Sequence, residues 1–481
     1  SPISSNPWVT KDPDGTNKDY VFRACFIDPA LGMVMATVAA DDLGASRAAI
    51  LHNMDFAYSN VLADAFHHAF EAVGGTVPVW KDYSNSTTDF TDLVTEVQDA
   101  GADVLFLPDT YTQVNRIAAE ADLLGLEATL LGADWWETPG LDLDLLEGGY
   151  FTTHFWSEDP RPVVQDFTVA YTTAYGTDPD ALGALGYDAA NVLLQAIADA
   201  GADDPVQVRD VMAAISHEGA AGHIRFDHNG DALKQGPILK IEGGATALTG
   251  YVAPRVAGLT AENDGPVDRW EPVTLTATVA TEHPTAFSWA FGDGGTGSGP
   301  VVSHVYATAG LHTAVVTASN GYEGISVETV VSVRETVTIT NTEATTTSDG
   351  VLNVTASPEM TETLTMTYTP QATTTSSPGD FEVAGGVTFH LDVRDEEGNV
   401  VSELSSPLTL TVAYDESALP TYLHEEDLEV RRYDEATAGW VALPMIERDM
   451  VNDQLTVLLD HFSEFALLGP VKRVYLPVVM R

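Results

Sequence analysis

The feature that most constrains the fold is a regular alternation of strand and helix patterns between residues 46 and 132. Apolar runs of strand length alternate with longer segments in which apolar residues recur at helical spacing. Repeated βαβ units place neighbouring strands parallel and put helices on both faces of the sheet. The pattern therefore predicts an α/β, doubly wound domain.

The predicted elements follow one another closely. The first helix is expected to begin at Ser59, a plausible N-cap. Further along, Asn229-Gly230 predicts a hairpin turn between Gly222–Phe226 and Pro237–Ile241. The predicted strands are Arg47–His52, Thr76–Trp80, Asp103–Leu107, Ala128–Leu131 and Tyr150–Thr153, and the later helices are Val163–Tyr175, Ala181–Ala200 and Pro205–Ile215.

Near Pro254 the character of the chain changes, because helical periodicity gives way to Thr- and Val-rich segments with frequent turn residues. Such a pattern is typical of all-β sandwiches. Two modules fit the remaining length, at about 257–334 and about 336–470, followed by a tail at 471–481. The chain is therefore expected to join an α/β domain to all-β sandwich modules.

Composition limits the partners and the environment of the chain. Seventy-one acidic residues face 21 basic ones, for a formal net charge of −50, so we expect no nucleic-acid binding. No apolar run reaches transmembrane length, since the best, Ala30–Ala40, is too short. The single cysteine, Cys25, lies in an apolar run and is expected to be a buried free thiol.

Ligand contacts are expected after the strands, because ligands of open α/β sheets bind beyond the carboxyl ends of the strands. The rim there holds aromatics, hydroxyls and a few carboxylates, with Lys81 the only base beside it. Such a rim suits a small cationic or zwitterionic ligand with an apolar portion. The rim comprises residues 53–58, 83–85, 109–111, 134–136 and 154–155.

The sequence carries none of the motifs that would indicate catalysis. It has no P-loop, no HExxH and no GxSxG elbow, and no Cys/His cluster has zinc spacing. We therefore predict a protein that is not an enzyme, with no cofactor, no catalytic residue and no metal site.

Six motifs between Ser1 and about Gly244 resemble those of periplasmic type I solute-binding proteins, in the Leu/Ile/Val-binding branch that serves ABC importers. Each motif is weak alone, but together they occur in the family's order and spacing. The motifs are Ser1–Pro7, Val21–Arg23, Gly132–Trp136, Tyr150–Phe155, Gly186–Ala189 and Ile224–Asp227.

The resemblance implies a ligand clamped between two lobes. Ser4 and Ser5 match the turn that holds the α-carboxylate of the ligand, and Asp134 matches the acid that pairs with its α-ammonium. A desolvated ammonium needs such a carboxylate partner. A helix-capping or turn role for Asp134 remains open as the alternative. Asp109, which lies on the rim but outside the motif, is expected to matter much less.

The same resemblance implies aromatic contacts. Tyr58 and Tyr111 match tyrosines that line the pocket, although Thr110 competes with Tyr111 for the equivalent place. Ordinary packing remains the alternative for both tyrosines. Trp135 departs from the family, in which a small residue is commoner, and is expected to narrow the pocket or to select an aromatic ligand.

A second departure concerns the first lobe. The family begins with βα units that build most of this lobe, whereas this sequence opens at the SPxxxNP motif. We therefore interpret the solute-binding domain, 1–252, as partial, with its second lobe at about 46–155 plus 222–244. On this interpretation the chain by itself binds ligand weakly or not at all, whereas a longer gene product binds it.

Residues 257–334 resemble a PKD domain, an immunoglobulin-like sandwich that is typical of secreted and cell-surface proteins. The resemblance rests on Phe287–Gly294, His304–Tyr306 and Val315–Asn320. Gly292-Asp293-Gly294 is interpreted as a hairpin turn, with calcium at Asp293 as the less favoured alternative.

Residues 336–470 resemble bacterial surface modules more loosely. Their His461-Phe462-Ser463 triplet leaves two interpretations open, an ordinary strand end or self-cleavage before Ser463. The tail at 474–481 is interpreted as a short terminal signal or strand.

These observations predict an extracytoplasmic subunit that captures a branched-chain or related amino acid for an ABC importer, whose permease would be its partner. The alternative is a cell-surface sensor or adhesion protein that uses the same lobes for signalling or attachment. The expected location is extracellular, at the cell surface or periplasmic, with cell-envelope polymers as candidate partners of the β modules.

Overall fold

The computed structural model describes residues 1–12, 16–201, 204–280 and 285–471. These residues divide into two compact units. The first combines the described residues of Ser1–Thr260 with those of Ala277–Ser288 and Thr317–Val327, and the second combines Ala261–Thr276, Trp289–Val316 and the described residues of Glu328–Arg481. The predicted signal or strand at 474–481 lies outside the described residues.

The first unit is an α/β structure. Its α-helices are α1 (Asp28–Thr37), α2 (Ala57–Ala72), α3 (Thr91–Ala100), α4 (Tyr111–Leu124), α5 (Pro162–Tyr175), α6 (Ala181–Ala200) and α7 (Pro205–Ala213). Its strands are β1 (Arg47–Asn53), β2 (Thr76–Tyr83), β3 (Val104–Phe106), β4 (Thr129–Gly132), β5 (Tyr150–Thr152), β6 (His217–Gly219), β7 (Gly222–Phe226), β8 (Ala232–Leu233), β9 (Gly236–Glu242) and β10 (Ala245–Val252). Short 3₁₀ turns occur at Pro7–Val9 and Asp134–Trp136, and a π-helical turn at Val38–Asp42 extends α1.

A seven-stranded sheet runs through the first unit in the order β10-β9-β5-β4-β3-β1-β2. The strands β1 to β5 pair in parallel, and β9 and β10 add antiparallel at the β5 edge. Parallel strands joined by helical crossovers are the arrangement that the alternating pattern predicts. The α/β prediction is therefore confirmed.

Helices cover both faces of this sheet. Successive side chains of a strand point to opposite faces. In β1, Ala48 and Ile50 belong to a core formed with α1 and α2, whereas Ala49 and Leu51 belong to a core formed with α3 and α4. Because both faces are buried, the strands read as continuous apolar runs rather than as an alternating pattern.

The start of α2 differs from the prediction. The helix begins at Ala57, with Phe56 at the N-cap position, and not at Ser59. The Ser59 hydroxyl is buried and accepts a hydrogen bond from the Asn53 backbone N–H at 2.9 Å. Ser59 therefore secures the end of β1 from inside the first helical turn, a role that the N-cap pattern does not reveal.

The predicted hairpin has a different second strand. β7 pairs with the short strand β8 across the Asn229-Gly230 turn, in a small sheet of order β6-β7-β8. The segment predicted as its partner, Pro237–Ile241, lies in β9 and joins the large sheet beside β5. The turn residues mark the reversal correctly, but burial of β9 in the large sheet decides its partner.

α6 differs from the expectation that no apolar segment of the chain reaches transmembrane length. By length and composition alone, this helix is long and apolar enough to cross a membrane. Its buried side includes Leu185 and Val192, while Leu182 and Leu194 are exposed. The core helix of a soluble protein meets the same criterion, so this finding carries no further conclusion.

From Thr260 onward the described chain consists of strands and short turns. Its strands are β11 (Thr260–Asn263), β12 (Val267–Asp268), β13 (Pro272–Thr278), β14 (Ala286–Ala290), β15 (Thr296–Ser298), β16 (Val301–Val305), β17 (Gly310–Ser319), β18 (Gly324–Ile339), β19 (Thr345–Thr346), β20 (Leu352–Thr355), β21 (Leu364–Pro370), β22 (Phe381–Arg394), β23 (Glu403–Ala413), β24 (Glu429–Asp434), β25 (Gly439–Ala442), β26 (Met445–Asp449), β27 (Gln454–His461) and β28 (Glu464–Pro470). Two 3₁₀ turns lie at Glu416–Ala418 and Glu425–Asp427.

The Gly292-Asp293-Gly294 segment forms the predicted turn. Asp293 accepts a hydrogen bond from the Gly295 backbone N–H at 2.9 Å, and its other oxygen lies 2.8 Å from His304 Nε2. Nearby, the buried Tyr306 donates its hydroxyl to the Phe291 carbonyl at 2.9 Å. Asp293 thus has partners from the protein that account for an acid at this position.

The C-terminal part of the second unit is a sandwich of two antiparallel sheets. One sheet has the order β19-β20-β23-β27-β26, and the other includes β21, β22, β28, β24 and β25. Their inner faces share one apolar core, to which Leu410 and Val457 contribute from the first sheet and Phe389 and Phe465 from the second. The all-β prediction for this region is therefore confirmed.

Candidate functional site

A pocket of about 580 Å³ opens at the carboxyl edge of the parallel strands in the first unit. This volume lies within the range of small-molecule sites in proteins. The pocket is lined by Thr110, Tyr111, Thr112, Asp134, Trp135, Glu137, Thr138, Thr153, His154, Asp180, Ala181 and Leu182. Of the seven predicted site residues, four lie on this wall: Thr110, Tyr111, Asp134 and Trp135.

Asp134 holds the central acidic position of the pocket. It is the first residue of the 3₁₀ turn that follows β4. One carboxylate oxygen accepts a hydrogen bond from the Tyr58 hydroxyl, and the other lies 3.5 Å from His154 Nε2. The side chain keeps 24% of its surface exposed, so the carboxylate is fixed in position yet accessible from the pocket.

Tyr58 reaches the site from beneath Asp134. It lies in the first turn of α2, and its ring contacts those of Phe56 and Trp135, with centroid separations of 5.3 and 6.3 Å. Burial raises the pKa of the Tyr58 hydroxyl well above its ordinary value, and the negative charge of Asp134 raises it further. The hydroxyl therefore stays protonated and acts as a donor to Asp134. The structure thus brings Tyr58 to the site through Asp134 rather than through the pocket wall.

Aromatic side chains form the apolar part of the wall. Tyr111 and Trp135 are 41% and 49% exposed, and both line the pocket. Trp136, the next residue, is buried and donates its indole N–H to the Leu107 carbonyl at 3.2 Å. Of the two adjacent tryptophans, Trp135 therefore offers a face to a ligand, while Trp136 belongs to the core.

Thr110 and Tyr111 both line the pocket, so its geometry does not choose between them. Thr110 precedes the first residue of α4, and Tyr111 begins that helix. Adjacent residues at the start of a helix can face one cavity because the chain changes direction there.

Ser4 and Ser5 do not line the pocket, and their role in binding stays a prediction. The Ser4 hydroxyl accepts a hydrogen bond from the Ser1 hydroxyl at 2.7 Å. Ser5 is hydrogen-bonded to Asp28, and burial raises the pKa of this carboxyl, with further repulsion from Asp134. Ser5 is therefore linked to Asp134 only indirectly, through Asp28, whose carboxyl is repelled by the charge of Asp134.

The segment that carries both serines is held by one buried arginine. The Arg23 guanidinium donates to the carbonyls of Ser4 and Asn6, each at 2.8 Å, and to that of Pro7 at 3.2 Å. Its Nε lies 2.5 Å from Asp231 Oδ1. Because Arg23 is 0% exposed, the guanidinium fixes the backbone of this segment from inside the protein.

Sequence reasoning did not assign Glu137 to the site. Its carboxylate lies beside Thr153, which donates a hydrogen bond to it. Although the residue as a whole is exposed, loss of solvent around the carboxylate, together with repulsion from Asp134 and Asp180, raises its pKa to about 7, against the lowering effect of the Thr153 hydrogen bond. Its position three residues after Asp134 could have indicated that Glu137 belongs to the site.

Two other residues contribute to the site. The sequence did not indicate Asp28, and it placed His154 on the rim without a specific role. Asp28 begins α1 and reaches the site through Ser5. His154 follows β5 at the predicted rim, is 8% exposed, and stands 5.7 Å from the ring of Phe26 between centroids. Only the packing of α1 against the sheet brings Asp28 near Asp134, and no local sequence signal marks this contact.

The electrostatics of the pocket favour a positive group. Asp134, Glu137 and Asp180 line it, and Asp28 lies close behind. No lysine or arginine is among the lining residues described above. A desolvated ammonium would gain a carboxylate partner here, whereas an anion would meet repulsion. Threonine hydroxyls on the same wall can serve as donors to a carboxylate.

Asp109 has a structural role. It is 1% exposed and accepts hydrogen bonds from Asn53 Nδ2 at 2.9 Å, from the Tyr83 hydroxyl at 2.8 Å and from the Thr110 backbone N–H at 2.6 Å. This carboxylate ties three rim segments together. The expectation that Asp109 would matter less than Asp134 therefore applies to ligand binding alone and not to stability.

Fold and pocket together define an α/β domain with an acidic, aromatic-walled cleft. Residues 2–245 match the family model of the periplasmic binding protein, and residues 258–333 match that of the PKD domain. The chain belongs to the periplasmic binding protein family and carries a PKD domain.

Named relatives agree with this assignment. An amino acid binding protein of Pseudomonas aeruginosa is 24% identical over 237 residues, which are 48% of this chain and 61% of that protein. A leucine-, isoleucine-, valine-, threonine- and alanine-binding protein of the same organism is 24% identical over 46% of this chain and 60% of its own length. The chain thus spans about three fifths of the length of these relatives.

Among solved structures, a leucine binding protein of Thermotoga maritima is 32% identical, with a TM-score of 0.45 over 53% of this chain and 72% of that one. The relatives are solute-binding proteins, which are not enzymes, and the family takes its name from the periplasm.

Proposed function

We propose that the chain captures a branched-chain or related amino acid in the acidic pocket and presents it to the permease of an ABC importer. The observation that carries the proposal is the carboxylate of Asp134, which Tyr58 and His154 hold at a pocket wall that has no lysine or arginine among its lining residues. In this position Asp134 pairs with the α-ammonium of the ligand, as the resemblance implies.

The remaining parts of an amino acid also find matching groups. Tyr111 and Trp135 offer apolar faces to an aliphatic or aromatic side chain. Hydroxyls of Thr110 and Thr138 stand on the same wall as donors for the α-carboxylate. Ser4 and Ser5 remain proposed as a second set of carboxylate contacts, which requires their segment to approach the pocket.

The names of the relatives support amino acids as the ligand class, since they refer to leucine, isoleucine and valine. They refer to binding rather than to sensing or adhesion, so import is preferred over the alternative. The chain spans about three fifths of the length of these relatives. The amino-acid ligand and the permease partner are therefore parts of the proposal and not findings.

The proposal is tested by calorimetric titration with leucine and two analogues of matched shape. 4-Methylpentanoate lacks only the α-ammonium, and 3-methylbutylamine lacks only the α-carboxylate. We expect leucine to bind and 4-methylpentanoate to bind at least about a hundredfold more weakly, because it leaves Asp134 unpaired in a desolvated site. Equal affinity for leucine and 4-methylpentanoate, or no binding of leucine, isoleucine or valine up to about 10 mM, would contradict the proposal.

A further inference from the structure

A second pocket in the first unit is lined by positively charged residues, which are scarce in this chain. It has a volume of about 550 Å³ and shares no lining residue with the acidic pocket. Only 21 of the 481 residues are lysine or arginine, yet Arg161 and Arg225 both line it. The remaining lining residues are Ser216, Glu218, Gly222, His223, Gln235, Tyr251 and Tyr322.

Each arginine stands over an aromatic ring that also lines the pocket. The guanidinium carbon of Arg161 lies 4.9 Å from the ring centroid of Tyr251, and that of Arg225 lies 5.3 Å from the centroid of Tyr322. Such contacts fix the plane of a guanidinium while leaving its edge free to donate hydrogen bonds. The guanidinium groups of Arg161 and Arg225 are therefore oriented in the absence of a ligand.

Buried donors around this pocket lack acceptors. Within the described part of the chain, Arg225 Nε and the Tyr251 hydroxyl are shielded from solvent and have no hydrogen-bond partner. Buried polar groups are rarely left in this state, since an unsatisfied donor is costly. Both residues line the pocket, so an anion in it would supply acceptors for both.

A third unpartnered donor lies just behind the pocket wall. Lys234 is 2% exposed, and its ammonium has no hydrogen-bond partner among the described residues. A side chain placed on Gly222, which lines the pocket, would come within 3.6 Å of Lys234 Cε and 4.0 Å of its Nζ. Burial lowers the pKa of Lys234 to about 8, which indicates that the charge is poorly compensated.

The acidic groups nearby are already engaged. Asp159 accepts from the Arg161 Nε at 2.8 Å, and Asp188 accepts from the backbone N–H groups of Ala220 and Ala221 at 2.8 and 2.7 Å. Glu218 is the only carboxylate that lines the pocket, and it pairs with His223. Arg225 Nη2 donates to the Gly321 carbonyl, and the charge of Asp188 acts on Lys234 without a hydrogen bond. Arg225 Nε, the Tyr251 hydroxyl and the Lys234 ammonium therefore have no hydrogen-bond acceptor among the described residues.

We propose that this pocket is a second binding site, for a small anion whose charged group is a carboxylate or a phosphate. The guanidinium of Arg225 and the hydroxyl of Tyr251 donate hydrogen bonds to the anion. Arg161, which lies over the ring of Tyr251, lines the same pocket, and Lys234 contributes positive charge from behind Gly222. The site is independent of the acidic pocket and of the amino-acid ligand proposed there, so either proposal can fail without the other.

The test is calorimetric titration of the whole chain with inorganic phosphate and, separately, with succinate, at constant ionic strength set with sodium chloride. Constant ionic strength is needed because salt screens exposed charges. We expect one-site binding of at least one of the two anions with a Kd below about 1 mM. Binding of phosphate alone identifies a phosphate site, and binding of succinate alone identifies a carboxylate site. Heat of dilution only, for both anions up to about 20 mM, overturns the proposal.

Two variants locate the site. Arg225→Gln removes the charged fork and should weaken binding at least about tenfold, because charge-assisted hydrogen bonds are the strong ones. Arg209→Gln is the matched control, since Arg209 lies on α7, pairs with Asp210 and does not line the pocket. Equal affinity of Arg225→Gln and Arg209→Gln overturns the assignment. Should Arg225→Gln fail to fold, Tyr251→Phe decides, because it deletes only the hydroxyl: a loss of about threefold or more supports the site, and an unchanged Kd overturns it.

Discussion

The hydroxyl of Tyr58 donates a hydrogen bond to the carboxylate of Asp134. The two residues are far apart in sequence, and the start of α2 meets the turn after β4 only because β1, β3 and β4 are neighbours in the sheet. This contact orients the acid that we propose for the ligand's ammonium, and three of the following predictions depend on the surroundings of Asp134.

Replacing Asp134 by asparagine should abolish most amino-acid binding. The substitution keeps size and hydrogen bonding but deletes the charge that pairs with the α-ammonium. Removing one partner of a buried charge pair typically costs about 3–5 kcal/mol, so the Kd for leucine should rise at least about a hundredfold. Calorimetry on Asp134→Asn measures the effect, with the melting temperature as the check on folding.

The control for this variant is Asp82→Asn. Asp82 is an exposed acid of β2 and does not line the pocket. Asp109 is unsuitable, because its three hydrogen bonds make it part of the fold. Equal losses for Asp134→Asn and Asp82→Asn would mean that the pocket has been misplaced.

Tyr58→Phe should weaken leucine binding by about tenfold, since a hydrogen bond to a charged group contributes roughly 1.5–3 kcal/mol. The ring contacts with Phe56 and Trp135 remain, so the fold should be retained. Titration of Tyr58→Phe beside the wild type measures the change. A variant that binds leucine as tightly as the wild type would show that Asp134 is positioned without Tyr58.

Glu137 should make stability depend on pH. Its folded-state pKa is raised from 4.5 to about 7, so the folded protein binds a proton that the unfolded chain releases in this interval. Stability contributed by this group is therefore lost as the pH rises from about 4.5 to about 7. Glu137→Gln should gain stability relative to the wild type at pH 8 and not at pH 4, as measured by urea unfolding. Glu127→Gln, at an exposed position, is the control, and an equal response of both variants would refute the assignment.

Arg23→Met should destabilise the first unit by about 3–5 kcal/mol, because it leaves Asp231 buried without its charge partner. Three backbone carbonyls of the Ser4–Pro7 segment lose their donor as well. Urea unfolding measures the loss. The double variant Arg23→Met with Asp231→Asn should recover part of it, since the uncompensated charge is then gone, and a double variant no more stable than Arg23→Met would contradict this account.

The bond between Phe462 and Ser463 should stay intact. His461 lies 2.9 Å from Asp460 Oδ1 and 3.3 Å from Glu403 Oε1, while the Ser463 hydroxyl donates to the Tyr433 carbonyl at 3.0 Å. His461 is therefore directed away from the serine that it would have to activate. Intact mass after prolonged incubation should show one species, and a fragment ending at Phe462 would restore the self-cleavage hypothesis.

Local sequence determined a large part of this protein. The alternation between residues 46 and 132 predicts the parallel sheet, because buried strands and amphipathic helices are each recognisable from their own periodicity. The same regularity predicts the position of Asp134 and Trp135 at the rim, since a residue that follows a parallel strand must emerge at its carboxyl edge. The family resemblance could be found on motifs that are contiguous in sequence.

Tertiary structure alone decided what those residues touch. Three contacts join residues that are distant in sequence or unmarked by any pattern. They are the pairing of β9 with β5 rather than β7, the hydrogen bond from the Asn53 backbone N–H to the Ser59 hydroxyl, and the approach of Asp28 to Asp134. The raised pKa of Glu137 arises from burial and from neighbouring carboxylates, which no spacing in the sequence encodes. Periodicity reports which face of an element is buried, whereas partners and local electrostatics depend on how the elements pack against one another.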